Sequence, residues 1–285
     1  MGRELIRALF ARTGRTMIVG ITGPPGAGKS TLVDQLTRIL RAEGKTVGIV
    51  AVDPSSPYTR GAILGDRIRM LRHHQDSGVF IRSMASRGHL GGVAQSTLEM
   101  ALLLDAAGQD VVLIETVGVG QDEVAITGLA DVTVLVLAPG FGDDVQAIKA
   151  GIMEIADVFA INKADLPGAD RLEQEIRAVE SFAPESERNE AAPLRRIVAS
   201  EGQGVEDLLK VVRSRFENAV QKNSRGAIWK SRLREMLRDS LLSAVPEDEL
   251  ERHGRAVADK TENPYEALAA LRARLVTSKD AHHEH

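Results

Sequence analysis

The sequence predicts an α/β protein: a mostly parallel sheet of the P-loop NTPase kind, flanked by helices, with a C-terminal helical appendage. Three observations carry that expectation. Apolar runs of strand length alternate with helical patterns, at 17–21, 46–52, 79–81, 111–115, 132–137, 158–162 and 196–199. Alternation of this kind makes βαβ units, and runs with little polar interruption suit strands covered on both faces. Next, residues 23–30 read GPPGAGKS, a full match to G-x-x-x-x-G-K-[ST], and lie between the first run and a helical pattern opening at Thr31. Finally, strand-like runs cease after about Arg225, and only helical stripes follow.

The elements follow in order. Residues 4–12 read as a short amphipathic helix with Leu5, Ile6, Leu9 and Phe10 on one face. The polar, acidic, proline-flanked stretch 183–193 reads as a solvated loop. Ile228, Trp229, Leu233, Met236, Leu237 and Leu241 make a helical stripe that Pro246 stops. A charged helix follows, and then Tyr265, Leu268, Leu271 and Leu275 form another apolar face. Either this appendage covers its own subunit's core or it forms a dimer surface. The resulting division is 1–15 for the N-terminal helix, 16–222 for the sheet domain and 223–285 for the helical segment.

Composition narrows the classes. A 285-residue chain with 43% hydrophobic residues can bury a sizeable core. A formal net charge of −4 gives no global basic field for nucleic acid. Cysteine is absent, which rules out disulfides and thiolate metal sites and fits a reducing compartment. No apolar run is long enough to span a bilayer, and the first residues lack the apolar core of a signal peptide. A cytoplasmic protein is the expectation. The tail His282, His283 and His285 could bind metal, but a frayed end is the commoner case.

The glycine loop is a phosphate site by its chemistry. Gly23, Gly26 and Gly28 let successive N–H groups converge on one centre, with Pro25, Ala27 and Thr31 beside them. The following helix N-terminus adds partial positive charge there. Lys29 is placed to reach the β- and γ-phosphates, and the Ser30 hydroxyl to bind Mg²⁺. The alternative is an ordinary glycine-rich turn, which leaves the lysine, the hydroxyl and both flanking elements unexplained.

Asn162, Lys163 and Asp165 follow the run at 158–161 as N-K-x-D, a guanine-reading pattern. Asp165 can accept from guanine N1–H and its exocyclic amine, where adenine offers neither donor. Asn162 is expected at the other ring edge, with the Lys163 stem over the base. Ser200, Glu201 and Gly202 follow the last strand run as a candidate backbone contact to the guanine oxygen. Carboxylates suited to Mg²⁺, directly or through its waters, are Asp53 and Glu115 at strand ends and Asp66 in the loop beyond. Asp66 could instead cap a helix. Gly118 would let a backbone N–H approach the γ-phosphate.

Long stretches resemble the MeaB/ArgK family of P-loop GTPases, in the SIMIBI class. They are DPSSP from Asp53, GAILGDR from Gly61, RSMASRG from Arg82, ETVGVGQ from Glu115 and GDDVQAIK from Gly142. The resemblance implies GTP, GDP and Mg²⁺ as ligands. It implies a GTPase chaperone that gates cofactor loading or protection of an adenosylcobalamin-dependent acyl-CoA mutase. It also implies a homodimer joined through C-terminal helices. Loops at 53–69, 118–123 and 143–149 would be switches. Family members usually carry a longer helical extension before the sheet; here it is reduced to one short helix.

No glutamine directly follows Gly118; Val119 stands there. Slow intrinsic hydrolysis is therefore expected, with a partner ordering a missing group. Asp143, Gln146 and Lys149 are candidates for a loop that completes the site, although acids also favour an ordinary helix start. Two other functions compete. A nickel metallochaperone GTPase would carry cysteine or histidine near the nucleotide. An arginine/ornithine transport kinase would need a phosphoacceptor pocket. Arg60, Arg67, Arg82 and Arg87 could contact a partner or be plain solvated arginines.

Overall fold

The computed structural model describes residues 2–53, 73, 75–85, 92–116, 128–140, 156–181, 192–221 and 225–277. Among them one seven-stranded parallel sheet forms, in the order β3-β2-β4-β1-β5-β6-β7. Its strands are β1 Met17–Thr22, β2 Val47–Asp53, β3 Val79–Ala85, β4 Val111–Thr116, β5 Val132–Leu137, β6 Val158–Ile161 and β7 Leu194–Arg196. The described helices are α1 Gly2–Leu9, α2 Lys29–Ala42, α3 Gly92–Ala106, α4 Ala169–Ser181, α5 Val205–Gln221, α6 Arg225–Ser243, α7 Glu247–Ala258 and α8 Pro264–Thr277.

Alternation along β1 assigns the two faces of the sheet. Met17, Val19 and Ile21 pack with Leu32, Val33, Leu36 and Leu40 of α2 and with Leu208, Leu209 and Val212 of α5. Ile18 turns the other way, toward Leu98, Ala101, Leu102 and Leu104 of α3. A third cluster joins Leu135, Leu137, Phe159 and Ile161 to Ala169, Leu172 and Ile176 of α4. The strands β1, β4, β5 and β6 are therefore covered on both faces, which is why their runs lack polar alternation.

Several expectations shift. The first helix yields to a 3₁₀ turn at Phe10–Arg12. Its predicted face also splits. Ile6 packs on the α3 side of the sheet while Leu5 is exposed, and Phe10 meets Trp229 edge-on at 5.4 Å. Helix α2 starts at Lys29, two residues before Thr31, because Gly28 in the left-handed region ends the loop there. The last strand is Leu194–Arg196, not 196–199. Ile197, Val198 and Ala199 are buried beyond the ladder, where Val198 bridges Gln203 in a tight turn. The loop expected at 183–193 falls largely outside the described residues.

The chain divides into two compact units, Met1–Trp229 and Lys230–His285. In the second, Arg274 pairs with Glu249, and His253 Nδ1 lies 2.7 Å from Glu262 Oε2. Among the described residues no helix is long and apolar enough to cross a membrane.

Candidate nucleotide-binding site

Strand β1 sits mid-sheet, with β4 on one side and β5 on the other. Its chain continues to α2 and then to β2, beyond β4, while β5 lies on the opposite side. Strand order thus reverses at β1, and in open α/β sheets ligands bind at such a switch point, beyond the strands' carboxyl ends.

The glycine loop lies across that point. Gly23 has φ +138°, and a Cβ there would come within 2.0 Å of the Val136 carbonyl oxygen on β5's chain. Gly28 has φ +91°, and its Cβ would lie 2.2 Å from Asn162 Nδ2. Both positions exclude side chains by conformation and by space. Lys29 is buried, and its Nζ donates to the carbonyls of Gly23 at 2.5 Å and Pro24 at 3.0 Å. The ammonium is thus held inside the loop by the chain's own carbonyls.

Two oxygens meet beside it. Ser30 Oγ donates to Glu115 Oε1 at 2.5 Å, and Glu115 is almost fully buried near the end of β4. Its neighbours across the ladder are Ile21 on β1 and Ala51 on β2. Behind it, Thr116 Oγ1 donates to Thr22 Oγ1 at 3.3 Å. A hydroxyl and a carboxylate converging here form a hard-oxygen donor set of the sort Mg²⁺ takes. Asp53 ends β2 two residues past Ala51. Asp66, Gly118, Asp143, Gln146 and Lys149 lie outside the described residues, as do Arg60, Arg67 and Arg87. Arg82 is exposed on the edge strand β3.

The N-K-x-D segment leaves β6 at Asn162. Asn162 is only 3% exposed, and its side chain is engaged within the protein. Nδ2 donates to the Ala27 carbonyl at 2.8 Å, and Oδ1 accepts the Ala199 amide at 2.9 Å. Asn162 therefore ties the glycine loop to the turn after β7. Burial supplies the reason: with water excluded, both peptide groups need a partner. Lys163 takes a left-handed φ of +56°, and Ala164 N–H donates to the Ile197 carbonyl at 3.1 Å. Beyond this turn Asp165 is exposed. Ser200, Glu201 and Gly202 form the adjacent turn, closed by Glu201 N–H to the Val198 carbonyl at 3.0 Å. The backbone partners Ala199 and Val136 carry no sequence mark; only the register of β5, β6 and β7 brings them here.

Seen whole, the site is a lysine-bearing glycine loop joined by one buried asparagine to the N-K-x-D loop, on a parallel sheet. That defines a P-loop GTPase. The chain belongs to the family described as methylmalonyl Co-A mutase-associated GTPase MeaB, whose model matches residues 1–254. A Pyrococcus abyssi protein that bears a provisional GTPase name is 46% identical over 284 residues, covering 96% of this chain and 88% of its own. The mouse methylmalonic aciduria type A homolog, mitochondrial, is 37% identical over 225 residues, covering 75% of this chain and 54% of its own. Among solved structures, one titled LAO/AO transport system kinase superposes with a TM-score of 0.71 at 28% identity, covering 96% of this chain and 86% of that one. As a GTPase of this family, the chain binds guanine nucleotide and hydrolyses GTP.

Proposed function

We propose that this GTPase is a nucleotide-switched chaperone for an adenosylcobalamin-dependent acyl-CoA mutase of the methylmalonyl-CoA mutase type. It would gate cofactor loading or protect the enzyme. The observation that carries the reading is the Asn162 bridge from Ala27 to Ala199, which couples triphosphate and base loops in one rigid unit. The client class is supported by the family's description as mutase-associated.

The residues divide the work by their chemistry. Lys29 exchanges its two loop carbonyls for phosphate oxygens, so binding costs no unpaired ammonium. The N–H groups of residues 26–31 face the phosphates, and Asp165 selects guanine. Ser200, Glu201 and Gly202 offer backbone to the ring. Ser30 and Glu115, with Asp53 and Asp66, hold Mg²⁺ directly or through water. When bound, the metal neutralises charge developing on the phosphates. Gly118 and the loop bearing Asp143 and Lys149 complete the site when the partner docks, so turnover alone is slow.

A homodimer is part of this reading. Leu233, Leu237 and Leu241 are spaced four apart on α6 and exposed, Leu237 by 60%. On α8, Tyr265 and Leu268 are exposed too. A repeated apolar stripe of this kind suits a subunit interface better than water. The reading places the protein in the cytoplasm.

Retention tests the chaperone assignment. A methylmalonyl-CoA mutase should be retained on the immobilised protein with non-hydrolysable GTP, and to a different extent with GDP. Equal retention in both states, or none in either, would remove the assignment. Phosphate transferred from GTP to a protein or amino acid would favour the kinase reading instead.

A further inference from the structure

A cavity opens at the amino ends of the central strands, at the opposite end of the sheet from the glycine loop. Met17 and Val111, which begin β1 and β4, line it, and the six residues of β1 put it about 20 Å from the loop. Its volume is about 830 Å³, within the roughly 300–1,000 Å³ of small-molecule sites. Every residue lining it lies in the Met1–Trp229 unit. Helices α2 and α3 end beside it, and both ends are closed. Lys45 N–H donates to the Leu40 carbonyl at 3.0 Å, and Gln109 N–H to the Leu104 carbonyl at 3.1 Å. Those carbonyls are spent, so little of the negative end of either helix faces the cavity.

The charged groups around the cavity divide by what already holds them. Arg213 Nη1 donates to Glu43 Oε1 at 3.1 Å, and Lys45 Nζ to Asp110 Oδ1 at 3.0 Å. Asp105 is 5% exposed and accepts the amides of Gly14 at 2.5 Å, Arg15 at 3.2 Å and Thr16 at 3.1 Å. That carboxylate fixes the backbone of Arg15, and Arg12 ends the 3₁₀ turn just before it. The guanidinium groups of Arg12 and Arg15 are exposed and, among the described residues, enter no ion pair. Among the lining acids only Glu217, which is exposed, stands outside a pair or clamp. One further group lacks a partner. Gln109 Oε1 is shut off from water and makes no hydrogen bond. A buried acceptor without a donor is uncommon and calls for one.

We propose that this cavity is a second ligand site, for an organic phosphate with a flat ring, namely a nucleoside phosphate. Arg12 and Arg15 take the phosphate oxygens in two-point bonds, for which the planar guanidinium is suited. Phe216, half-buried in the wall, gives the ring an aromatic face. A ring amine or ribose hydroxyl supplies the donor that Gln109 Oε1 lacks, after a turn of that amide. The N-K-x-D loop is at the other end of the sheet, so this site takes adenine and guanine alike.

ADP is the probe, added to protein whose glycine loop already holds one equivalent of a fluorescent methylanthraniloyl GDP. Calorimetry should show one further site for ADP, with no release of the fluorescent nucleotide. Arg12→Ala and Arg15→Ala should each weaken ADP at least about tenfold, with GDP affinity and melting temperature unchanged. ADP should also bind at least about tenfold more tightly than inorganic phosphate, because the ring adds its own contacts. No heat from ADP would overturn the proposal, as would ADP that drives out the GDP. Equal ADP affinity in wild type and in the double variant Arg12→Ala, Arg15→Ala would overturn it too. Inorganic phosphate held as tightly as ADP would overturn the assignment to a nucleoside phosphate.

Discussion

Asp165 is where nucleotide identity is decided in this account. Without its carboxylate the guanine N1–H and amine have no acceptor. Asp165→Ala should weaken GDP on the order of 100-fold while leaving the far weaker ADP unchanged, as calorimetry would read. Asn162 acts differently, through the protein. Asn162→Ala leaves the Ala27 carbonyl and the Ala199 amide unpaired in a buried position. That should cost about 2 kcal/mol, a fall of about 4–8 °C in the melting temperature of a domain this size, even without nucleotide. Gly28→Ala would drive a Cβ to within 2.2 Å of Asn162 Nδ2, with an unfavourable φ added, and should lose at least about tenfold in GTP affinity. The glycine loop and its buried lysine were legible, because G-x-x-x-x-G-K-[ST] between a strand and a helix marks them by pattern. The role of Asn162 was not, since its partners are backbone atoms from segments 135 and 37 residues away.

At the scale of elements, the strands β1, β4, β5 and β6 were foreshadowed by apolar runs, because their side chains are buried on both faces of the sheet. The one misplaced strand has a physical cause. Ile197 and Ala199 are apolar because they pack into the core cluster with α2 and α5, and hydrophobicity alone does not separate that burial from a ladder. Aspartates at strand entries are less visible still. Asp110 accepts from the Thr46 amide and hydroxyl, each at 2.9 Å, and from Lys45 Nζ at 3.0 Å. The Thr46 amide, first among these, draws its carboxyl below the ordinary range. A carboxyl lowered on folding stabilises above its unfolded pKa and loses that contribution as pH falls through the folded value. Asp110→Ala should therefore melt about 2–4 °C below wild type at pH 7, with the gap closing in the acid range. Asp157 has the opposite sign. Burial raises its carboxyl, outweighing the Thr133 amide, so acidification favours its folded form.

For the molecule as a whole, the sheet unit carries the site and the helical unit carries the exposed leucines. If those leucines join two copies, Leu237→Glu should convert a dimer to a monomer, halving the mass seen by light scattering at about 10 μM, with GDP affinity unchanged. That helices follow the sheet was legible from their stripes, but which surface covers them was not, since an amphipathic helix packs as readily on its own subunit as on another. The central claim concerns what the GTPase serves. GTP hydrolysis by the purified protein, measured as a methylmalonyl-CoA mutase is titrated in, tests it most directly. The account predicts a saturable rise of at least about tenfold over a slow basal rate, abolished by Lys29→Ala. A basal rate already fast and indifferent to the mutase would contradict it.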